Sequence, residues 1–428
     1  MTYASAVSYL YSLQKHGIKL GLETMTVLVH RLEMPQARYP SLHIAGTNGK
    51  GSTAAMTAAV LRKAGYRVGL YTSPHLIEFR ERIRVNGEMI SESDVARLTD
   101  MLKRLCEPDL SPTFFECTTG MALKYFADSQ VDVAVLEVGL GGRFDATNVV
   151  TPLACAITTI ALDHQEYLGS SLSSVAFEKA GIIKRNVPVV IGRVPDEARR
   201  TIEQVAAEQA APVFRLGREF KTVGETPAGF TFSGRVVSYD ELSCALQGVH
   251  QLDNAACAMA LLEAGGIVVG EQAAREGLRS VHWEGRLEVV GEHPLTVLDG
   301  AHNPAAAIAV ACYLRSFRLS HPGSRVILVL GMMRDKDHRG FAEPLKEVVD
   351  EVVLTQAELP RSATAQELQG ALSETWSHPF ATTVLSEALG HAKQLARPED
   401  LICVTGSLML IGDVKALMRG CGLSPLRG

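Results

Sequence analysis

Residues 46–52 read Gly-Thr-Asn-Gly-Lys-Gly-Ser and place three glycines, a lysine and two hydroxyl groups close together. Glycines let backbone N–H groups approach phosphate oxygens, and a helix N-terminus adds partial positive charge. Lys50 can reach the β and γ oxygens of a nucleotide, and a hydroxyl from Ser52 or Thr53 can orient phosphate or Mg²⁺. We therefore predict that these consecutive residues bind the phosphates of ATP: Gly46, Thr47, Asn48, Gly49, Lys50, Gly51 and Ser52.

The spacing of this loop differs from the common GxxxxGK[ST] phosphate loop. The residue four positions before Asn48 is Ile44, and a glycine separates Lys50 from Ser52. A glycine-rich turn that carries a lysine by chance is the alternative. The position of the loop, between an apolar strand pattern and a helical pattern, favours phosphate binding.

Polar residues also follow other apolar runs. Ser73 ends the run after the phosphate helix, Glu137 follows Val-Ala-Val-Leu, and His164 follows the next run. Ligands of open α/β sheets bind at the edge that the carboxyl ends of the strands form. Carboxylate and hydroxyl oxygens and imidazole groups are also common metal ligands. We therefore consider all three as Mg²⁺ ligands. The alternatives are that Glu137 forms a surface salt bridge and that His164 has a structural role. For Lys179, composition alone suggests a solvated helix lysine.

The remaining pattern indicates the elements that position these residues. Residues 1–40 and 53–64 are helical in pattern, and residues 220–247 predict a small antiparallel addition. Apolar runs predict strands at 41–45, 67–71, 131–136, 153–160 and 187–191, and a second series at 295–298, 326–330, 351–354 and 401–404.

Strands that alternate with helices predict an α/β protein, here with two domains. Residues 1–292 would form a P-loop ATPase-type domain with a parallel sheet. Residues 293–428 would form a smaller Rossmann-like domain.

Of the 428 residues, 46% are hydrophobic and 21% are charged, which is typical of a globular protein. The net charge of -5 argues against a nucleic-acid-binding surface. Eight cysteines include no CxxC pair, which favours free thiols in a reducing compartment. The N-terminus lacks a signal-peptide pattern, and no apolar stretch reaches about 20 residues. We therefore predict a cytoplasmic monomer that binds neither nucleic acid nor membrane.

Several segments, taken in order, resemble the Mur ligase superfamily, and within it the folylpolyglutamate synthase/dihydrofolate synthase family. Two of them, GTNGKGS at 46–52 and EVGLGGRFDATN at 137–148, are highly specific to this branch. The matching segments are 43–52, 72–76, 137–148, 162–164, 178–181, 285–288, 299–304 and 404–408.

The resemblance implies ATP-dependent formation of an amide bond. A pteroate or folate carboxylate attacks the γ-phosphate of ATP, and the amino group of L-glutamate then attacks the acyl phosphate. The substrates would be dihydropteroate or a reduced folate, L-glutamate and ATP. We predict a chain that performs both the dihydrofolate synthase and the folylpolyglutamate synthase reactions. The alternatives are that the chain is a folylpolyglutamate synthase only, or that it is another amide ligase of the superfamily.

The resemblance also implies roles for single residues at the metal site. Ser73 and Glu137 would hold one Mg²⁺, and His164 would hold a second. Lys179 matches the lysine that this family carbamylates, which turns a cation into an anionic ligand near the second ion. We assign catalytic roles to Lys50, His164 and Lys179.

Further residues would bind the nucleotide and the other substrates by the same resemblance. The nucleotide residues beyond the loop are Asn254, Arg286 and Asp299. The substrate residues are Phe115, Asp145, His302 and Ser407. Glu284 and Phe114 depart from the family, which often has proline at the position of Glu284 and has it in some relatives at the position of Phe114.

Two other interpretations compete with this one. Cell-wall ligases of the Mur type usually carry a further N-terminal domain, and a phosphate loop at residue 46 leaves no room for it. A nucleotide-dependent switch without ligation would not need Arg286, Asp299 and His302 in a second domain.

Overall fold

Runs of buried aliphatic residues build the sheets of the computed structural model, which describes residues 1–17, 21–376 and 379–421. The chain folds into two units. The first contains residues 1–75, 79–245 and 251–281, and the second contains residues 76–78, 246–250 and the chain from His282 onwards. Each unit has its own sheet and its own hydrophobic core.

The main sheet of the first unit has eight strands. They are β1 (Ser41–Ala45), β2 (Val68–Tyr71), β3 (Ile83–Val85), β4 (Glu88–Met89), β5 (Val133–Glu137), β6 (Ala154–Thr159), β7 (Val189–Arg193) and β8 (Val213–Arg215). Their order is β4-β3-β2-β5-β1-β6-β7-β8. β3 pairs antiparallel with β2 and β4, and the other pairs are parallel. β1 is buried along its whole length, including its polar residues Ser41 and His43.

Ten α-helices lie in the described part of the first unit, one of which begins at His250 of the second unit. They are α1 (Tyr3–Ser12), α2 (Glu23–Arg31), α3 (Lys50–Lys63), α4 (Glu92–Cys106), α5 (Phe114–Asp128), α6 (Gln165–Leu168), α7 (Leu172–Ala180), α8 (Asp196–Glu208), α9 (His250–Ala264) and α10 (Glu271–Ser280). Short 3₁₀ turns occupy Leu13–His16, Pro35–Ala37, Phe79–Arg82 and Ala146–Val149. One core contains side chains of α1, α2, α4 and α5, and another contains side chains of α7 and α8.

A separate antiparallel sheet completes the first unit. It consists of β9 (Lys221–Thr226), β10 (Gly229–Ser233) and β11 (Ser238–Leu242), with β10 in the centre. The antiparallel addition predicted for residues 220–247 is therefore confirmed.

The second unit contains a sheet of six strands. They are β12 (Glu288–Glu292), β13 (Leu295–Leu298), β14 (Val326–Leu330), β15 (Glu351–Leu354), β16 (Phe380–Ala381) and β17 (Leu401–Thr405), in the order β12-β13-β17-β14-β15-β16. Only β12 runs antiparallel to its neighbour within this described sheet. The helices are α11 (Pro304–Ser320), α12 (His338–Ala342), α13 (Ala365–Leu372), α14 (Leu385–Leu395) and α15 (Leu408–Arg419), with a 3₁₀ turn at Glu343–Leu345.

The predicted α/β class is confirmed by both sheets. The strands predicted at 41–45, 295–298, 326–330 and 351–354 have the observed bounds. The helix predicted from residue 53 begins earlier, at Lys50, because Gly49 turns the chain directly into it at a φ of 86°.

Other expectations have a mixed outcome. Residues 1–40 contain α1 and α2 together with 3₁₀ turns, and residues 18–20 lie outside the described part. The apolar pattern does not indicate β3, β4, β8, β12 and β16, which have only two to five residues and lie at or next to the edges of the sheets. The predicted domain boundary between residues 292 and 293 stays a prediction.

No helix within the described residues is long and apolar enough to span a membrane.

Candidate active site

The glycine-rich loop starts directly after β1 and ends in the first turn of α3. Gly46 and Gly49 have φ values of 149° and 86°, which residues with a Cβ rarely adopt. A Cβ on Gly46 would lie 2.0 Å from Thr158 Oγ1. The loop therefore depends on glycine for both its backbone angles and its packing.

Backbone and threonine groups at the end of β6 hold the loop in place. Thr47 N donates to Thr159 O at 2.8 Å, and Asn48 N donates to Thr159 Oγ1 at 2.9 Å. Thr158 Oγ1 donates to Asn48 O at 2.6 Å. Because β1 and β6 are neighbours, these bonds order the loop without help from a ligand.

Lys50 folds over the loop that precedes it. Its Nζ donates to Gly46 O at 3.0 Å and to Thr47 O at 3.2 Å. In the first turn of α3, Ser52 and Thr53 are buried, and Thr53 Oγ1 has no hydrogen-bond partner within the described chain. An ammonium, a helix N-terminus and an unsatisfied hydroxyl together fit a phosphate group.

Asn254 in α9 meets the loop at Gly49. A Cβ on Gly49 would lie 2.4 Å from Asn254 Oδ1, while Asn254 Nδ2 donates to Gln251 Oε1 at 2.8 Å. The structure therefore brings the predicted nucleotide residue Asn254 against the predicted phosphate loop, although the two are far apart in sequence.

Gly49→Ala is expected to raise the ATP concentration for half-saturation by at least about tenfold, because the new Cβ displaces Asn254 and strains the loop. Gly65→Ala is the matched control. Gly65 has a similar φ of 91°, but nothing lies within 4 Å of its Cβ position. ATP titrations and thermal unfolding of both variants check this. Equal ATP affinities of the two variants would contradict the prediction.

Ser73 and Glu137 lie together at the carboxyl edge of the sheet. Ser73 N donates to Glu137 Oε2 at 3.1 Å, and Glu137 is buried at the end of β5. In the register of β1 and β5, Glu137 pairs with Ile44, two residues before Gly46. The hydroxyl and carboxylate oxygens are hard donors of the kind that Mg²⁺ prefers.

His164 is placed differently from these two. It is the N-cap residue directly before α6, with a left-handed φ of 49°, and its side chain is 42% exposed. Its backbone N donates to Asp163 Oδ1 at 2.9 Å, and its Nε2 lies 3.9 Å from the same oxygen. The predicted role of His164 as a ligand of a second ion stays a prediction.

Lys179 is 5% exposed, so the interpretation as a solvated helix lysine is wrong. Burial, together with the positive charge of Lys50, lowers the pKa of Lys179 to about 7, while Asp163 and Asp145 act in the opposite direction. A large fraction of this amine is therefore uncharged near neutral pH. An uncharged amine is the form that reacts with CO₂ to give a carbamate.

The docking of the Gly141–Arg143 turn onto α7 explains why Lys179 is buried. A Cβ on Gly142 would lie 2.8 Å from Lys179 O, so the turn approaches the helix closely. Arg143 N donates to Glu178 O at 2.8 Å, and the Arg143 guanidinium donates to Glu178 Oε1 at 2.7 Å. Two separated sequence segments thus form one packed corner beside Lys50.

The buried amine predicts a pH-dependent stability in CO₂-free buffer. Between about pH 7 and pH 10 the unfolded chain binds a proton that folded Lys179 does not bind, so stability rises with pH. Wild type should therefore be least stable relative to Lys179→Met below about pH 7, and the difference should shrink towards about pH 10. Denaturant unfolding across this range measures it. A difference that does not change with pH would contradict the assigned environment.

Phe115 and Asp145 meet at Gly139. A Cβ on Gly139 would lie 2.4 Å from Phe115 Cζ. Gly139 N and Leu140 N donate to Asp145 Oδ2 at 3.0 and 2.9 Å. The structure therefore joins the two predicted substrate residues through one glycine-rich loop. Their contact with a substrate stays a prediction.

Phe114, one of the two predicted departures from the family pattern, is part of the core. Its ring stacks on Tyr11 with centroids 5.2 Å apart, and the Arg82 guanidinium carbon lies 5.2 Å from its ring centroid. The departure from the family therefore adds an aromatic contact next to Phe115.

The remaining predicted residues belong to the second unit and lie close to one another there. Asp299 Oδ2 accepts from Leu287 N, and Oδ1 accepts from Ala301 N, both at 2.8 Å. A Cβ on Gly300 would lie 2.7 Å from Nη1 of Arg286, and His302 Nδ1 donates to Gly300 O at 2.8 Å.

Ser407 is tied to the same turn. Its Oγ accepts from Met409 N at 3.1 Å and so caps α15, while Gly406 N donates to Ala301 O at 3.0 Å. The turn at residues 299–302 thus brings together Arg286, Asp299, His302 and Ser407 within this unit.

Glu284, the second departure from the family, pairs with cations of α15. It lies 3.4 Å from Lys415 Nζ and also pairs with Arg419. His282, Glu284 and Glu288 offer ligand atoms within 4.8 Å of one another. Because Lys415 also pairs with Glu288, the geometry favours an ion-pair cluster over a metal site.

Sequence reasoning missed residues that support the loop and Lys179. Thr158 and Thr159 end β6, and the strand-end rule that selected Glu137 would have selected them too. Asp163 has a side chain that is only 8% exposed, and its charge acts on Lys179. A polar residue next to a histidine gives no such signal in sequence.

Comparison with known proteins agrees with this arrangement. Residues 44–262 match the Mur ligase middle domain, and residues 285–408 match the Mur ligase glutamate ligase domain. The dihydrofolate synthase/folylpolyglutamate synthase of Bacillus subtilis is 35% identical over 434 residues, which cover 97% of this chain and 99% of the relative.

Solved structures are similar over the whole length. E. coli FolC in complex with DHPP and ADP has a TM-score of 0.90 and 36% identity, with 98% of each chain covered. A bifunctional folylpolyglutamate synthase/dihydrofolate synthase with Mn, AMPPNP and L-glutamate bound has a TM-score of 0.88 and 35% identity, again with 98% of each chain covered. The chain therefore belongs to the folylpolyglutamate synthase/dihydrofolate synthase family of Mur ligases.

Proposed function

We propose that this protein joins L-glutamate to the carboxylate of dihydropteroate and of reduced folates, with ATP converted to ADP and phosphate. The observation that carries the proposal is that Lys179 is buried and is affected by the charge of Lys50 in the phosphate loop. A protein that only binds a nucleotide does not need such a buried lysine. The predicted enzyme class is confirmed by family membership: the chain is an ATP-dependent ligase that forms carbon–nitrogen bonds.

The chemistry requires that a poor electrophile be activated. A carboxylate oxygen of the pteroate or folate attacks the γ-phosphorus, the bond to the β-phosphate oxygen breaks, and ADP leaves. The glutamate amine, after losing a proton, attacks the acyl carbon, and phosphate leaves as the amide forms. Positioning and charge neutralisation supply most of the catalysis in such phosphoryl transfers.

Residues of the first unit hold the phosphates in this proposal. Backbone N–H groups of the loop and Lys50 bind the β and γ oxygens, while Asn254 orients the loop at Gly49. Ser73 and Glu137 offer the oxygen pair for a Mg²⁺ ion, which neutralises developing charge on the phosphates when bound. Divalent metal and nucleotide are present together in a solved relative, which supports this part.

The finer metal chemistry is also a proposal. The amine of Lys179 attacks the carbon of CO₂ and loses a proton, which leaves an anionic carbamate. With His164, this carbamate would hold a second Mg²⁺ ion. The lowered pKa of Lys179 supports the first step because it keeps the amine uncharged.

Residues of the second unit have proposed roles as well. Arg286 and Asp299 would bind the nucleotide, and His302 and Ser407 would bind substrate, as Phe115 and Asp145 do in the first unit. Their hydrogen-bonded turn at residues 299–302 supports a common role. We also propose a domain boundary near residues 292 and 293, and a monomer that works in the cytoplasm.

A parallel assay tests the function. Purified protein with ATP, Mg²⁺ and L-glutamate receives dihydropteroate in one reaction and tetrahydrofolate in another, and ADP and the amide products are measured. Products in both reactions support the bifunctional enzyme. Product from tetrahydrofolate alone supports a folylpolyglutamate synthase. ATP turnover that is independent of both acceptors would overturn the proposal.

A further inference from the structure

His43 is a polar residue in the centre of a strand that is buried at every residue. It lies in β1, three residues before Gly46, and pairs in register with Leu136 of β5 and Cys155 of β6. Its exposed fraction is 0%. Burial, together with the charge of Lys184, lowers the pKa of His43 to about 3, so the ring is neutral.

The direction of the hydrogen bonds determines which ring nitrogen carries the proton. Asp145 accepts from Gly139 N, Leu140 N and Thr147 N, and Thr147 Oγ1 donates to Asp145 Oδ1. The single hydroxyl proton of Thr147 is thereby used. His43 Nε2, 2.8 Å from Thr147 Oγ1, must therefore be the donor in their hydrogen bond.

The other ring nitrogen has no such function. His43 Nδ1 is buried and has no hydrogen-bond partner among the residues that the structure describes. A buried acceptor without a partner costs free energy, and an aliphatic residue such as its neighbours Leu42 and Ile44 would avoid that cost. The donor at Nε2 is thus the feature that the histidine supplies and an aliphatic residue does not.

We propose that His43 is a positioning residue that holds the loop at residues 139–145 through the hydrogen bonds His43–Thr147–Asp145. This inference rests on the proposed function, in which Asp145 and Phe115 contact the pteroate. Asp145 fixes Gly139 and Leu140, and Gly139 packs against Phe115. The strand that carries the phosphate loop therefore also orients the loop that shapes the acceptor pocket.

Two substitutions separate the hydrogen bond from the volume of the ring. His43→Gln places an amide N–H where Nε2 lies and keeps a buried acceptor, its Oε1, whereas His43→Leu removes both the donor and the acceptor. We expect His43→Leu to raise KM for dihydropteroate about fivefold to tenfold, the effect of one lost hydrogen bond, with kcat and KM for ATP changed by less than about twofold. His43→Gln should stay within about twofold of wild type for all three constants.

The outcome is decisive either way. Leucine and glutamine variants with the same KM for dihydropteroate would overturn the proposal, as would equal increases in KM for ATP and for dihydropteroate. If His43→Leu does not fold, Thr147→Val against Thr147→Ser tests the same chain, because only valine removes the hydroxyl. Wild-type protein without any ligase activity would instead contradict the proposed function.

Discussion

Lys179→Ala is expected to lower ligase turnover by about 10²–10³-fold, the usual cost of losing one charge-stabilising group in an active site. Alanine cannot form the carbamate, so the second metal ion would lose an anionic ligand. Lys179→Arg should be equally inactive, because arginine keeps the positive charge and does not react with CO₂. Steady-state rates of ADP release with saturating substrates measure the effect.

Adding small anions to Lys179→Ala tests specifically whether the missing group is a carboxylate. Acetate or bicarbonate can occupy the space left in Lys179→Ala and replace the missing carboxylate, so we expect partial recovery of turnover. Lys103→Ala is the matched control, since Lys103 is a half-buried helix lysine with 42% of its side chain accessible, and should keep wild-type turnover without response to the anions. Full activity of unrescued Lys179→Ala would refute the carbamate.

Glu137→Gln is expected to lower turnover by about 10²-fold and to raise the Mg²⁺ concentration for half-maximal activity by about 10–100-fold. Glutamine has the same shape and can still accept the hydrogen bond from Ser73 N, so the fold should be unchanged. The negative charge is lost, and a neutral amide oxygen is a weaker Mg²⁺ ligand than a carboxylate.

The measurement is a Mg²⁺ titration of turnover, with nucleotide binding measured separately in the absence of metal. Glu88→Gln is the control, because Glu88 is an exposed strand residue in the same sheet. Metal-free nucleotide binding should be similar in wild type and both variants. An unchanged Mg²⁺ requirement of Glu137→Gln would show that Glu137 does not hold the ion.

The phosphate loop shows how far local sequence reaches. Glycines at 46 and 49, a lysine at 50 and an apolar run before them predict a strand, a turn and a helix, and the structure has all three. The strand bounds at 41–45 were predictable because Leu42, Ile44 and Ala45 are apolar and Gly46 ends the segment, although Ser41 and His43 are polar. Edge strands such as β4 lack that signal.

Lys179 shows where local sequence stops. Its neighbours on α7 do not reveal its burial, which depends on a turn at Gly142 and Arg143 that packs against the helix from elsewhere in the chain. Its pKa of about 7 follows from that burial and from Lys50, which lies more than a hundred residues earlier. The family resemblance implied a role for Lys179, but the physical basis for that role required the folded chain.

Residue types and short-range spacing were thus sufficient for the α/β class, the phosphate loop and the family. These depend on backbone preferences and on the alternation of apolar runs, which neighbouring residues carry. The meeting of Ser73 with Glu137 arises from the order of strands in the sheet. Asn254 meets Gly49 because α9 lies against the phosphate loop, and His43 meets Asp145 through Thr147, which lies in a 3₁₀ turn. Strand order depends on packing between distant segments, so only the tertiary structure shows which of these side chains share a site.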